Sequence, residues 1–250
     1  MEQGGSTAPR LGSASLDGRV IAIAGAAGGL GPVVAERLAA AGASLALTHR
    51  DQDRRDPVVA DHGLAHDRLD AQVVDLLDEP SSVGWAKALS ERFGRTDGLL
   101  HLVGGWKGGE PLATAPLADY EWLHDLLVRT VIHTTRAFYD GLAASEHGRF
   151  VLVSSSQAQA PGGTNAAYGA TKAAAESWTL ALADSFRNAD SAATANILVI
   201  NAIVTPAMRD QSPEKPFKTF TSAEEIAAAI EFICSDAARK MNGKRLPLYP

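Results

Sequence analysis

Short apolar runs alternate with helix-patterned stretches along nearly the whole chain. This alternation limits the possible folds more than any other feature. Residues 19–24, 44–48, 71–74, 99–103, 149–153, 196–200 and 245–249 read as strands. Most are predominantly apolar rather than alternating, which is the pattern of strands buried on both faces. Helical spacing fills the intervals at 32–41, 80–93, 119–144, 166–187 and 223–236. Right-handed crossovers join such units into an α/β, doubly wound parallel sheet with helices on both faces. No linker or internal repeat divides the chain, so one domain over 16–250 is expected.

Composition narrows the function classes. With 250 residues and 46% hydrophobic content the chain can bury a substantial core without staples. A formal charge of −6 argues against nucleic acid as a partner. Cys234 is the single cysteine, which excludes an intrachain disulfide and fits a reducing compartment. Its apolar surroundings at 230–234 read as core. No run of 18 apolar residues is present, so no membrane span is expected. Residues 1–15 are rich in Gly, Ser, Ala and Thr and lack the apolar stretch of a secretory signal. They read as a flexible leader, and the location as cytoplasmic. Residues 206–222 carry prolines and charges and are long enough for a flap over a substrate.

The first chemical signal is Gly25-Ala-Ala-Gly28-Gly29-Leu30-Gly31, between a strand and a helix. Glycines there let backbone approach a pyrophosphate, and the helix N-terminus supplies amide donors. The second strand ends in His49 and Arg50, where an acidic residue would accept from both ribose hydroxyls of NAD. Arg50, with Arg54 and Arg55 nearby, suits a 2′-phosphate instead. NADP (as NADPH) is therefore favoured over NAD, although Asp51 or Asp53 remains a candidate for the ribose. Asp75 ends the third strand, where it can accept from the adenine amino group.

The second signal is Tyr168-Gly-Ala-Thr-Lys172, a pair one helical turn apart on one face. An ammonium beside a phenol is expected to lower the phenol pKa and make tyrosine a usable acid or base. Ser154, Ser155 and Ser156 close the fifth strand. A hydroxyl there can bind a substrate oxygen as it gains charge. Strand alternation sets Ser155 on the opposite side from the other two.

With Gly25-x3-Gly29-x-Gly31, Asp75, Ser155 and Tyr168-x3-Lys172 in this order, the chain resembles the short-chain dehydrogenase/reductase family over residues 16–249. The resemblance implies a Rossmann-type sheet of about seven strands and nicotinamide-dependent interconversion of a carbonyl and an alcohol. It implies Tyr168 as proton donor or acceptor, Lys172 as ribose anchor and Ser155 as the group orienting substrate. It also implies cofactor contacts at Leu30, Leu76, Val103, Gly104, Ile203 and Thr205. A homodimer or homotetramer built on the helices near 119–144 and 168–187 is implied as well.

Departures from the family pattern mark a divergent branch. The family's Asn-Asn-Ala-Gly stands here as His101-Leu102-Val103-Gly104, and its helix asparagine as Leu127. Leucine cannot hold a water that relays protons to the lysine. Trp106 either roofs the substrate pocket or is a partly buried loop aromatic. Trp122, Leu126 and Leu127 read as a helix seam. Histidines 101, 124, 133 and 147 lack the spacing of a compact metal set, so no metal is expected. The alternatives are a non-redox enzyme on the same scaffold (epimerase, lyase or cyclase) and a catalytically idle dinucleotide-binding module.

Overall fold

The wholly apolar run Val20–Ala24 forms β1, and every one of its residues is buried. A computed structural model describes residues 15–50 and 66–249. Alternate side chains of β1 enter different cores. Ile21 and Ile23 join a cluster with Val34, Leu38, Ile226 and Ile230. Val20, Ala22 and Ala24 join another with Trp85, Val131, Phe138 and Phe186. A central strand buried on both faces needs apolar residues at every position, which is why the run does not alternate.

The remaining strands of the main sheet are β2 (Ser44–His49), β3 (Leu69–Val73), β4 (Gly98–His101), β5 (Arg149–Ser155), β6 (Thr194–Ile200) and β9 (Arg245–Pro247). Their order is β3-β2-β1-β4-β5-β6-β9, and all six neighbouring pairs are parallel. The pair β7 (Ile203–Val204) and β8 (Thr221–Ser222) stands apart. The sheet expected from the apolar runs is thus present, with seven strands.

Helices α1 (Gly31–Ala40) and α7 (Ala223–Cys234) cover one face. Helices α2 (Glu79–Phe93), α4 (Thr130–Ala144) and α5 (Ala166–Asn188) cover the other. Local chemistry sets their ends. Asp78 caps α2 by accepting from the Ser81 amide at 3.0 Å. Ser222 and Glu225 form a capping box on α7. Gly42 follows α1 at φ +105°, a conformation that favours glycine.

One expected helix is not continuous. Residues 119–144 read as a single helix, but α3 (Leu117–His124) passes into a π-helical segment, Asp125–Arg129, before α4. A π segment widens the turn and shifts the helix face that follows it. The last strand is also shorter than expected and ends at Pro247. Residues 206–222 are partly ordered into α6 (Pro206–Gln211), and Phe217 is buried beyond it. Cys234 lies in the core as expected, and burial pushes its thiol up to about 12. No described helix is long and apolar enough to cross a membrane.

Candidate active site

Chain connections leave β1 toward β2 on one side, and the sheet continues from β1 to β4 on the other. The crevice at the strand ends where the order reverses is the expected ligand position in such a sheet. A cavity of about 870 Å³ opens there. It runs from the glycine turn to the far ends of β4, β5 and β6.

The glycine turn divides its work. A Cβ on Gly25 would lie 2.8 Å from the Val103 amide nitrogen, and φ there is +85°. A Cβ on Gly31 would overlap the Ala26 carbonyl, so this glycine seats α1 against the turn. Gly25, Gly28, Gly29 and Leu30 line the cavity, whereas Gly31 does not. Bare backbone therefore faces the cavity beside the N-terminus of α1, which fits the phosphates of a dinucleotide. Thr205, expected to touch the cofactor, does not line the cavity either. Its Oγ1 caps α6 by accepting from the Met208 amide at 3.3 Å, while its methyl group lies against Gly29. Ile203, Leu76, Val103 and Gly104 do line it.

At the adenosine end, His49, Arg50 and Asp75 all line the cavity. His49 is buried, and neither ring nitrogen has a hydrogen-bond partner. Arg50 and Asp75 are exposed. One Asp75 oxygen accepts from the Leu77 amide at 2.9 Å. Asp51, Asp53, Arg54 and Arg55 lie outside the described residues.

At the other end the three serines separate. Ser154 Oγ donates to Glu176 at 2.6 Å. Ser156 Oγ donates to Asn201 at 3.2 Å and does not line the cavity. Ser155 lines the cavity with Tyr168, and its hydroxyl draws the phenol pKa down. Strand β5 runs through Ser155, two residues further than the apolar pattern alone indicated.

The net shift at Tyr168 runs opposite to the one expected from a nearby ammonium, because burial outweighs it. Burial raises the Tyr168 phenol above its usual value, and the Ser155 hydrogen bond draws it only partly back. Lys172 Nζ lies 5.9 Å from the phenol ring centroid and donates to the Val153 carbonyl at 3.0 Å. It therefore sits against the ring face instead of forming a close pair with the hydroxyl. Burial lowers the ammonium itself to about 8, with Glu176 opposing that shift.

His101 adds a second buried base to this region. Burial, with Lys172 next in weight, lowers it to about 3, so the imidazole is neutral at ordinary pH. Leu127 is buried in the π segment and does not line the cavity; its neighbours Leu126 and Thr130 do. Thr130 Oγ1 donates to the Leu126 carbonyl at 2.7 Å.

Trp106 lines the cavity with 59% of its surface exposed. Within the expected seam Leu127 is buried, while Trp122 is 41% exposed. Trp122 and Leu126 pack against Gly105, where a Cβ would meet both. Asn165 was missed in the sequence because it reads as an ordinary helix N-cap; it lines the cavity beside Gln157. Among the described residues no group of three His, Cys, Asp or Glu is placed to hold a metal.

Comparison with known proteins agrees with this geometry. A family model described as enoyl-(acyl carrier protein) reductase matches residues 25–248. The chain is 28% identical over 253 residues to a protein named as a ketoacyl reductase of the monensin polyketide synthase in Streptomyces virginiae. That match covers 91% of this chain and 94% of the relative. It is 26% identical over 240 residues to the 7alpha-hydroxysteroid dehydrogenase of Escherichia coli, covering 92% of each chain. Among solved structures, a 3-ketoacyl-(acyl-carrier-protein) reductase from Brucella melitensis complexed with NADH superposes with a TM-score of 0.80. It has 26% identity and covers 94% of this chain and 98% of that one.

Proposed function

Since the chain belongs to the short-chain dehydrogenase/reductase family of nicotinamide-dependent oxidoreductases, we propose that it reduces a small carbonyl compound with NADPH, using Tyr168 as the acid. The observation that carries this reading is a single cavity lined by the bare glycine turn at one end and by Ser155, Tyr168 and Lys172 at the other. The named relatives, among them a ketoacyl reductase and a hydroxysteroid dehydrogenase, support the reaction class.

Gly25, Gly28, Gly29 and Leu30 would hold a dinucleotide, whose dihydronicotinamide would supply the hydride to a carbonyl carbon. Tyr168 gives its hydroxyl proton to the carbonyl oxygen, so the ketone gains one hydride and one proton and leaves as the alcohol. Burial keeps the Tyr168 phenol protonated, as an acid requires. Ser155 Oγ–H then stabilises the phenolate oxygen left behind, and the Lys172 ammonium against the ring face adds to this. Solvent returns the proton to Tyr168. The single Ser155 hydroxyl proton orients the substrate oxygen before the transfer and turns to the phenolate after it.

The preference for NADPH rests on His49 and Arg50. Each lines the adenosine end, and neither can accept from two ribose hydroxyls as a carboxylate would. Arg50 is suited to a bidentate contact with a 2′-phosphate. We read residues 206–222 as the segment that closes over substrate. We also read the surface of α3, α4 and α5 as the self-association face, on which Leu117 and Leu180 stay exposed.

Titration of the purified protein with NADPH and NADH, followed by tryptophan fluorescence, tests the cofactor half. A carbonyl panel followed by loss of dihydronicotinamide absorbance tests the rest. Much tighter NADPH binding and carbonyl-dependent oxidation are expected. Substrate consumed with no absorbance change would instead identify a non-redox enzyme. Binding without turnover of any carbonyl would identify an idle module.

A further inference from the structure

Resting on the reductase reading, we propose that the site selects neutral carbonyl compounds carrying a second hydrogen-bond acceptor, such as an ester or amide carbonyl, because Gln157 and Asn165 present it with two donor-only carboxamides.

The orientation of both amides is fixed by what their oxygens accept. Gln157 Oε1 accepts from the Gly162 amide at 2.8 Å. Asn165 Oδ1 accepts from Trp106 Nε1 at 3.0 Å. Each carboxamide carries one acceptor oxygen and one NH₂ group. With both oxygens engaged, what remains for a ligand is the NH₂ group of each. Neither NH₂ group donates to another described residue. Asn165 stands at the N-cap of α5, yet its side chain makes no cap hydrogen bond. It is spent on Trp106 and the cavity instead. The two amides flank one loop residue: a Cβ on Gly162 would lie 3.7 Å from Asn165 Nδ2 and from Gln157 Oε1.

The rest of this wall is uncharged. Around Ser155 and Tyr168 the cavity is completed by Gly105, the Trp106 ring and Leu126. Its charged lining is confined to Lys172 and to the adenosine end. A carboxylate substrate would find no guanidinium there, and an ammonium substrate no carboxylate. A purely apolar ketone would leave two NH₂ groups without the water they have in the open site. Discrimination of this kind is strong because the unpaired partner belongs to the protein. One neutral hydrogen bond is worth about tenfold in kcat/KM. The reaction itself is unchanged: hydride to the carbonyl carbon, proton from Tyr168 to its oxygen.

The test compares methyl levulinate with the unbranched methyl ketone of equal heavy-atom count, in the full-length protein with NADPH. Levulinate separates its two carbonyls, so the ester does not activate the ketone electronically. The measured quantity is the ratio of the two kcat/KM values, in wild type, Gln157→Glu and Asn165→Asp. Each variant keeps an oxygen that accepts from Gly162 or Trp106 and exchanges the donor for a negatively charged acceptor. A wild-type ratio of about tenfold or more is expected, falling about tenfold in each variant. A wild-type ratio near unity, or a ratio that neither variant changes, overturns the inference and leaves the reductase reading standing. No reduction of either ketone by folded, NADPH-binding protein overturns both.

Discussion

Glu176 stands one helical turn behind Lys172 on the buried face of α5, clamped by the Ser154 hydroxyl at 2.6 Å and by Arg245 at 2.9 Å. The carboxylate thus ties the C-terminal strand β9 to the helix that carries Tyr168 and Lys172. Its charge is the influence that opposes the desolvation of the Lys172 ammonium. Glu176→Gln removes that charge while keeping the shape. The Lys172 pKa then falls below its present value of about 8. Activity that needs the ammonium is lost as pH rises through the lysine pKa. The alkaline limb of the kcat/KM profile therefore moves to lower pH in the variant, with a loss of several fold at its upper end. An unmoved alkaline limb with a uniform drop would show a merely structural role.

In the proposed mechanism Tyr168 and Ser155 act on one proton. Tyr168→Phe removes the acid and should lower kcat by about 10²–10⁴-fold. Dinucleotide binding should persist, because the glycine turn is untouched. Ser155→Ala removes the hydrogen bond that draws the phenol pKa down. Its kcat should fall by about 10²–10³-fold. The limb of the pH profile that reports Tyr168 should move to higher pH. Stopped-flow absorbance across a pH series reads both effects.

Much of this architecture was legible because strands buried on both faces must be largely apolar, as β1 is along its whole length. The separation of Ser155 from Ser154 and Ser156 followed from strand alternation in the same way. The π segment was not legible, because a single widened turn of five residues leaves the α-helical spacing on either side intact. Nor was the sign of the Tyr168 shift. A Tyr-x3-Lys pair fixes a shared helix face, but the Val153 carbonyl that holds Lys172 Nζ comes from β5, and no local spacing reports it. Asn165 was hidden for a related reason: an asparagine ahead of a helix reads as a cap until Trp106, 59 residues away, is seen to claim its oxygen.

His101 is 1% exposed, and both ring nitrogens lack a partner. Its pKa falls from 6.5 in the unfolded chain to about 3 in the fold. Between those two values the unfolded chain binds a proton that the folded one refuses. Stability therefore falls as pH falls through that window, by about 1.4 kcal/mol per pH unit from this group. His101→Leu should flatten the slope of urea-unfolding free energy between pH 6.5 and 4 by about that amount per unit. An identical slope in the variant would place the acid sensitivity elsewhere.

Arg50 lines the adenosine end of the cavity without a described hydrogen bond or ion pair. If it meets a 2′-phosphate, Arg50→Ala loses a charge-assisted hydrogen bond worth about 1.5–3 kcal/mol. NADPH binding should weaken by about 10–100-fold, while NADH, which lacks that phosphate, changes less. Calorimetric titration with both nucleotides measures the difference. Equal weakening of the two would assign the discrimination to His49 or to residues beyond the described ones.

Gly25 and Gly28 belong to one turn but should respond differently to a methyl group. Gly25 has φ +85°, and its added Cβ would lie 2.8 Å from the Val103 nitrogen and 3.0 Å from the Leu102 carbonyl carbon. Gly25→Ala then meets both a left-handed backbone penalty of about 1–2 kcal/mol and an overlap with the backbone of the loop that follows β4. Gly28 has an ordinary φ, and its Cβ would meet only the Gly25 carbonyl oxygen at 3.3 Å. Its exchange for alanine should therefore cost less stability, because that neighbour has to give by only a few tenths of an ångström. Both residues line the cavity, so both variants should weaken dinucleotide binding. Thermal unfolding without nucleotide separates them: a large fall in Tm for Gly25→Ala and a small one for Gly28→Ala. Similar falls in the two would mean that the close approach of β1 to the β4 loop does not set the turn.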